Sequence, residues 1–186
     1  MSQTSEEYLK AVTIGERKPL DGPVELVDYD PKWREQFRRE EERIRGALGE
    51  QALQVEHAGS TAVPGLAAKP VIDIVLVVAD TTDEPAYVTD LEAAGYTLRI
   101  REPDWFEHRL LKRTEPSVNL HVFSAHSEEI DRMLAFRDHL RSHKSDRELY
   151  ERTKRELAAR KWDYVQHYAD AKSEVVEQIL ARARSG

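Results

Sequence analysis

QVEHAGSTAVPGLAAKPVIDIVLVV, residues 54–78, decides how the rest of the chain is read. The stretch Leu53–His57 leads into the small residues Gly59-Ser60-Thr61, turns at Pro64-Gly65 and resumes as the β-branched-rich Val71–Val78. That pattern predicts strand, loop, strand. In the second strand, alternation groups Asp73 with Val71, Val75 and Val77, and puts Ile72, Ile74, Leu76 and Val78 on the opposite face. Both faces are apolar, so the strand belongs inside a sheet. Asp73 is then a carboxylate where packing alone would not place one, and its charge must be met by a metal, a cation or hydrogen bonds.

The loop between the strands has the residue types of an anion cradle. Small residues let backbone N–H groups approach a phosphate, and the hydroxyls of Ser60 and Thr61 add donors. An ordinary tight connection would use the same residues. Lys69 precedes Pro70, which biases it to an extended conformation four residues before Asp73. On a third predicted strand, Val118–Phe123, alternation groups Asn119, His121 and Phe123. If that strand lies beside Asp73, His121 and Asp73 could share a Mg²⁺ or Mn²⁺ ion, or His121 could act as a base. A structural histidine satisfied in the core is the plainer alternative. His57 is a third candidate ligand, although its strand phase groups it with Leu53 and Val55.

Composition narrows the function classes. A chain of 186 residues, 40% hydrophobic and 34% charged, suits one domain with a charged, helical surface. With no cysteine, it has no disulfide, zinc-thiolate site or cysteine nucleophile. The net charge of −7 comes from an acidic excess in residues 1–126, and no basic stripe appears. Bulk nucleic-acid binding is therefore not expected. No apolar run approaches the ~18 residues of a membrane span, and the first residues are not a signal peptide, so a cytoplasmic location is expected.

Residues 1–22 read as an N-terminal arm and 23–186 as the domain. Thr4 and Glu7 have capping-box spacing for a short helix, which Pro19, Gly22 and Pro23 would end. Such an arm is loosely packed, or lies against the body or a partner subunit of a homo-oligomer. Val24–Tyr29 reads as an edge strand, and Asp30-Pro31 opens a helix carrying Trp33, Phe37, Ile44 and Leu48 up to Gly49. Glu84–Ala94 predicts a helix stopped by Gly95. Tyr96–Ile100, Glu107–Lys112 and Val118–Phe123 predict strands, the last two antiparallel neighbours. Helices are expected near 127–142, 146–160 and 163–183, the last two opened by Ser145/Glu148 and Asp163/Gln166. The fold class is α+β: a mixed sheet with helices packed on it and a C-terminal helical cap.

Those last helices carry cations on their apolar faces. At about 100° per residue, Arg137 falls among Ile130, Met133, Leu134 and Leu140. Lys154 falls among Leu149, Tyr150, Leu157 and Ala158, and Lys172 among Tyr164, Tyr168, Val175, Val176 and Ile179. A shared anion at the sheet–helix cleft would satisfy all three, with Tyr150 and Tyr168 stacking on a base or bonding a sugar and Arg109 extending the positive surface. Internal salt bridges to Asp138, Asp163 or Asp170 are the alternative. His139 and His143 have the i,i+4 spacing of a zinc pair but read as a solvated face, and Trp105-Phe106 reads as a plug for the sheet edge.

HAGSTAVPGLAAKPVIDI, with DYDPKW, EAAGY, NLHVF, FRDHL, LYERTK and YADAK in order around it, resembles the GrpB family of the nucleotidyltransferase-like superfamily from Val24 onward. The resemblance implies a mixed sheet with a Gly-Ser turn, matched by Gly59-Ser60. It also implies carboxylates on the next strand that hold a divalent metal for attack on a nucleotide α-phosphate. Asp73 matches the first of these; the position two residues on is Val75, and His121 stands where a third acid might. GrpB-like domains are also similar to a segment fused to dephospho-CoA kinase in some bacteria. The expected function is a nucleotide- or phosphate-ligand-binding protein of nucleotidyltransferase type, possessing one metal if it transfers a nucleotidyl group. A non-catalytic module for nucleotides or CoA precursors and a metal-dependent phosphohydrolase using Asp73, His57 and His121 are the alternatives.

Overall fold

In the computed structural model, which describes residues 5–17 and 24–185, the strand carrying Asp73 is interior to a five-stranded sheet. The strands are β1 (Gln54–Ala58), β2 (Ile72–Val78), β3 (Thr97–Glu102), β4 (His108–Arg113) and β5 (Val118–Ser124), ordered β1-β2-β5-β4-β3. β2 and β5 are parallel and every other pair is antiparallel, so the sheet is mixed. The helices are α1 (Glu6–Val12), α2 (Lys32–Leu48), α3 (Val88–Ala93), α4 (Glu128–Ser142), α5 (Lys144–Ala158), α6 (Val165–Ala171) and α7 (Ser173–Ser185).

The double-sided apolarity of β2 gives the sheet two covered faces. Ile72, Ile74, Leu76 and Val78 join Leu120, Val122 and Leu111 beneath α2 and α3, against Trp33, Ile44, Leu48 and Leu91. Val75 and Val77 face the other way with Ala58 and Phe123, beneath Ile130, Met133 and Leu134 of α4. Beside that layer, α4, α5 and α7 close a second core around Leu140, Tyr150, Val175 and Ile179, into which the loop after β1 sends Val63 and Leu66. Burying these side chains, each worth about 1.5–3 kcal/mol when fully covered, fixes the loop between sheet and helices.

Several expected boundaries move. Val24–Tyr29 forms no sheet strand; its one ladder contact is an isolated bridge between Val27 and Ala68. Asp30 accepts from Lys32 N–H at 2.9 Å, so it caps α2 from one position further out than expected. The predicted helix at Glu84 starts with a single 3₁₀ turn, Glu84–Ala86, before α3. Neither Ser145 nor Asp163 caps a helix: the caps are His143 and Tyr164, without side-chain bonds. The last predicted helix is divided at Lys172, the C-cap of α6. The arm is laid against the body, with Leu9 and Val12 buried and Ile14 N–H donating to Arg99 O at 2.8 Å. Thr4, Pro19, Gly22 and Pro23 lie outside the described residues.

Candidate functional site

Antiparallel pairing sets Ala58 of β1 opposite Asp73 of β2, so the chain leaves β1 directly beside that carboxylate. Gly59 makes the exit at φ +67°, and a β-carbon built on it would stand 2.5 Å from Asp73 Oδ2. Positive φ and close approach both require glycine here. Asp73 is not sealed in the core: its side chain keeps 28% exposure, on the sheet face that α4 covers further along. Burial pushes its carboxyl up, but the His121 hydrogen bond and the charges of His121, Lys69 and Lys172 hold it below the ordinary carboxylate value.

Lysines surround this single acid. Lys69 and Lys172 are both half-buried. Burial, then repulsion by Lys172, pulls Lys69 down to about 8. Burial likewise brings Lys172 down to about 8 against the attraction of Asp73. Lys154, 2% exposed, donates to Ser60 Oγ at 2.9 Å and Ala67 O at 2.6 Å. Glu151, about one helical turn earlier on α5, accepts from Ala67 N–H at 2.7 Å. Together they clip both backbone polar groups of one loop residue, Ala67, while Arg141 donates to Ala62 O at 2.9 Å. Lys112 completes the set. It pairs across the sheet with Asn119, which pairs with Asp73, so all three share a face.

A hydrogen-bonded line crosses the same face, taking one residue from each of four neighbouring strands. Glu102 Oε1 lies 2.8 Å from His108 Nδ1, His108 Nε2 3.0 Å from His121 Nδ1, and His121 Nε2 3.4 Å from Asp73 Oδ1. The structure thus brings together Asp73, His121, Gly59, Ser60, Lys69, Lys154 and Lys172. Glu102, His108 and Lys112 join them, unanticipated from sequence.

Other expected residues lie elsewhere. His57 is on the opposite face of the sheet, stacked on Phe37 at 4.8 Å, with Nε2–H donating to Thr61 Oγ1 at 3.0 Å. Thr61 in turn donates to Val71 O, so its hydroxyl is committed within the loop. Burial pulls the His57 imidazole down to about 4. Arg109 pairs with Val122, which puts it on the α3 face, where it bonds Glu107 O and neighbours Glu84. Arg137 is held by Glu56, Asp138 and His57 O at 2.8, 2.9 and 3.0 Å; it is an internal salt bridge, not part of a clamp. Tyr150 and Tyr168 are buried and offer no face to a base. Their rings instead lie under the ammonium groups of Lys154 and Lys172, at 5.0 and 4.7 Å. His139 is buried rather than solvated, bonded to Asp146 at 2.7 Å and stacked on His143. Trp105 and Phe106 stay partly exposed at the β3–β4 turn, with the Trp105 ring edge-on to His108 of β4 at 5.1 Å.

Comparison with known proteins agrees with this architecture. A family model described as GrpB protein matches residues 23–182. A UPF0157 protein of Halalkalibacterium halodurans is 59% identical over 181 residues, covering 97% of this chain and 93% of that one. A dephospho-CoA kinase of Mycolicibacterium paratuberculosis is 40% identical over 103 residues, half of this chain and 25% of the kinase. The crystal structure of conserved protein GrpB from Enterococcus faecalis superposes with a TM-score of 0.73 at 30% identity, covering 85% of this chain and 98% of that one. The Cid1 poly(U) polymerase in a MgGTP-bound structure superposes with a TM-score of 0.53 at 14% identity over 83% of this chain and 46% of that one, a likeness of fold.

Proposed function

The chain belongs to the GrpB family, and from the cleft over Asp73 we propose that it binds a small molecule through its phosphate groups, with nucleotides as the ligand class. One observation carries this reading: Lys69, Lys112, Lys154 and Lys172 surround a single ionised carboxylate, and two of them are pulled down to about 8. Such a surplus of crowded ammonium groups is costly unless an anion meets it. A phosphate monoester, carrying about −1.5 to −2 at pH 7, restores full charge to the lysines and takes hydrogen bonds from them. Ser60, already fixed by Lys154, is the hydroxyl of the Gly-Ser turn that would meet such a phosphate. The choice of nucleotides rests on the nucleotidyltransferase-like fold, and the cytoplasm is the proposed location. Among the described residues no helix is long and apolar enough to cross a membrane.

The expected Mg²⁺ or Mn²⁺ finds a poor donor set. Divalent ions of this kind want about six oxygen ligands, whereas Asp73 stands among ammonium groups with Val75 in place of a second acid. Among the described residues no group of three His, Asp or Glu side chains is placed to hold a metal ion. We therefore assign binding by lysine charge and route no step through a metal. The partial match to dephospho-CoA kinase supports a second reading, an accessory module for CoA precursors at the same cleft.

A thermal-shift series with nucleotides, dephospho-CoA and inorganic phosphate, each with EDTA, Mg²⁺ or Mn²⁺, tests both readings. Concentration-dependent stabilisation that persists in EDTA is expected. No shift with any phosphate compound would overturn the proposal, and a shift confined to dephospho-CoA would select the accessory reading.

A further inference from the structure

The hairpin of β3 and β4 pairs most of its cations with acids. Arg101 meets Glu84, Arg109 meets Glu84 and Glu107, Arg113 meets Glu40, and His108 meets Glu102. Arg99 and Lys112 are the exceptions: among the described residues no carboxylate bonds either of them. Arg99 is the unpaired residue of the bulge between Leu98 and Ile100. Its guanidinium donates to Glu16 O at 2.5 Å and keeps further N–H donors free. Arg99 follows Thr97, the cross-strand partner of Lys112, by two residues. Partial burial and then repulsion by Arg99 pull the Lys112 ammonium below the ordinary lysine value. Asp73, Asn119, Lys112 and Thr97 form one row across β2, β5, β4 and β3. Lys112 therefore lies two strand spacings, about 9–10 Å, from Asp73. Lys69 and Lys172 flank the Asp73 end of that row. Asn119, between the two ends, is half-buried, and its carboxamide bonds no described residue.

We propose that this row is a two-phosphate site. Lys69 and Lys172 hold one phosphate, Lys112 and Arg99 hold another on a different carbon of the ligand's sugar, and the Asn119 carboxamide bonds the sugar between them. The charges call for two groups rather than one. Against Asp73, the four lysines and Arg99 leave about four positive charges unmet, and a phosphate monoester brings about −1.5 to −2 at pH 7. Adjacent phosphates of a diphosphate lie too close together to serve both ends of the row. A nucleotide phosphorylated on both its 5′ and 3′ carbons spreads its charge along it. The inference rests on the phosphate-binding reading above and adds the number and spacing of the phosphates, with a nucleoside bisphosphate as the ligand class.

Calorimetric titration of the full chain at pH 7 in EDTA compares adenosine 5′-monophosphate, adenosine 5′-diphosphate and adenosine 3′,5′-bisphosphate. The bisphosphate is expected to bind about 10- to 150-fold tighter than the monophosphate, the gain of a second charged contact. It should also bind tighter than the diphosphate. Lys112→Met and Arg99→Met should each cut the bisphosphate-to-monophosphate ratio several-fold, and Arg99→Lys should keep most of it. An arginine that only holds the Glu16 carbonyl would leave the ratio unchanged. Lys112 is exposed, so its variant decides the matter should Arg99→Met not fold. Equal affinity for monophosphate and bisphosphate overturns the second position, as does a diphosphate that matches the bisphosphate. A ratio untouched by both substitutions overturns it too. In each of those cases monophosphate binding still upholds the phosphate reading. If none of the three compounds binds, both fall together.

Discussion

Gly59 and Asp73 occupy each other's space so closely that only a residue without a β-carbon fits between the loop and the carboxylate. Gly59→Ala would push the methyl group into Asp73 Oδ2 while straining a positive φ. We expect it to cost about 1–3 kcal/mol in denaturant unfolding and to lose phosphate binding more completely than the stability change explains. Intact binding would show that the turn can move away from Asp73.

Lys172 separates a ligand clamp from a structural cation. Lys172→Met should leave the free protein as stable or more stable, since it removes a crowded, half-buried charge. Ligand affinity should fall by about 1.5–3 kcal/mol, roughly 10- to 150-fold, if the ammonium bonds a phosphate. Calorimetric titration of both proteins checks this.

Arg137→Met should behave in the opposite way. Its guanidinium bonds Glu56, Asp138 and the His57 carbonyl, so removal should destabilise the fold by about 1.5–3 kcal/mol. Phosphate affinity should not change. A large affinity loss in a stably folded Arg137→Met would return Arg137 to the binding surface.

The pH dependence follows from the lysines. Lys69 and Lys172 sit at about 8 in the folded protein against an ordinary 10.5, so between those values the unfolded chain binds more protons. Stability of the free protein should therefore rise with pH across about 8 to 10.5 from these two groups, and gain nothing from them below 8. A bound phosphate needs both charged, so affinity should fall above pH 8 by up to about tenfold per unit for each lysine. Binding measured from pH 7 to 10 in constant salt would reveal a flat profile if neither lysine touches the ligand.

The sheet, the loop and Asp73 were legible because β2 is apolar on both faces and the Gly-Ser turn follows a clear strand. Helical periodicity also located Lys154 and Lys172 correctly on inward faces. It could not say what met them. Arg137 is inward too, but its partner Glu56 comes from a strand 81 residues earlier. In β4, the adjacent Leu110 and Leu111 make both phases look apolar. Only pairing of Leu111 with Leu120 decides that Lys112, not Arg109, faces the cleft. Glu102 and His108 stayed hidden for a similar reason. Their alignment depends on a bulge between Leu98 and Ile100 and on positive φ at Phe106 and Glu107, neither of which is a glycine position.

The arm carries one more consequence. Tyr8 donates a hydrogen bond to Glu102, at the far end of the line that reaches Asp73, yet Tyr8 precedes residues 23–182 shared with the family. A shortened version cut to the shared span would strip the outermost donor from that line while leaving every cleft residue in place. Any fusion or cleavage scar ahead of α1 sits only a few residues from the same phenol. Choice of expression boundaries is therefore an experimental variable for the chemistry of His121, to be held fixed whenever preparations are compared.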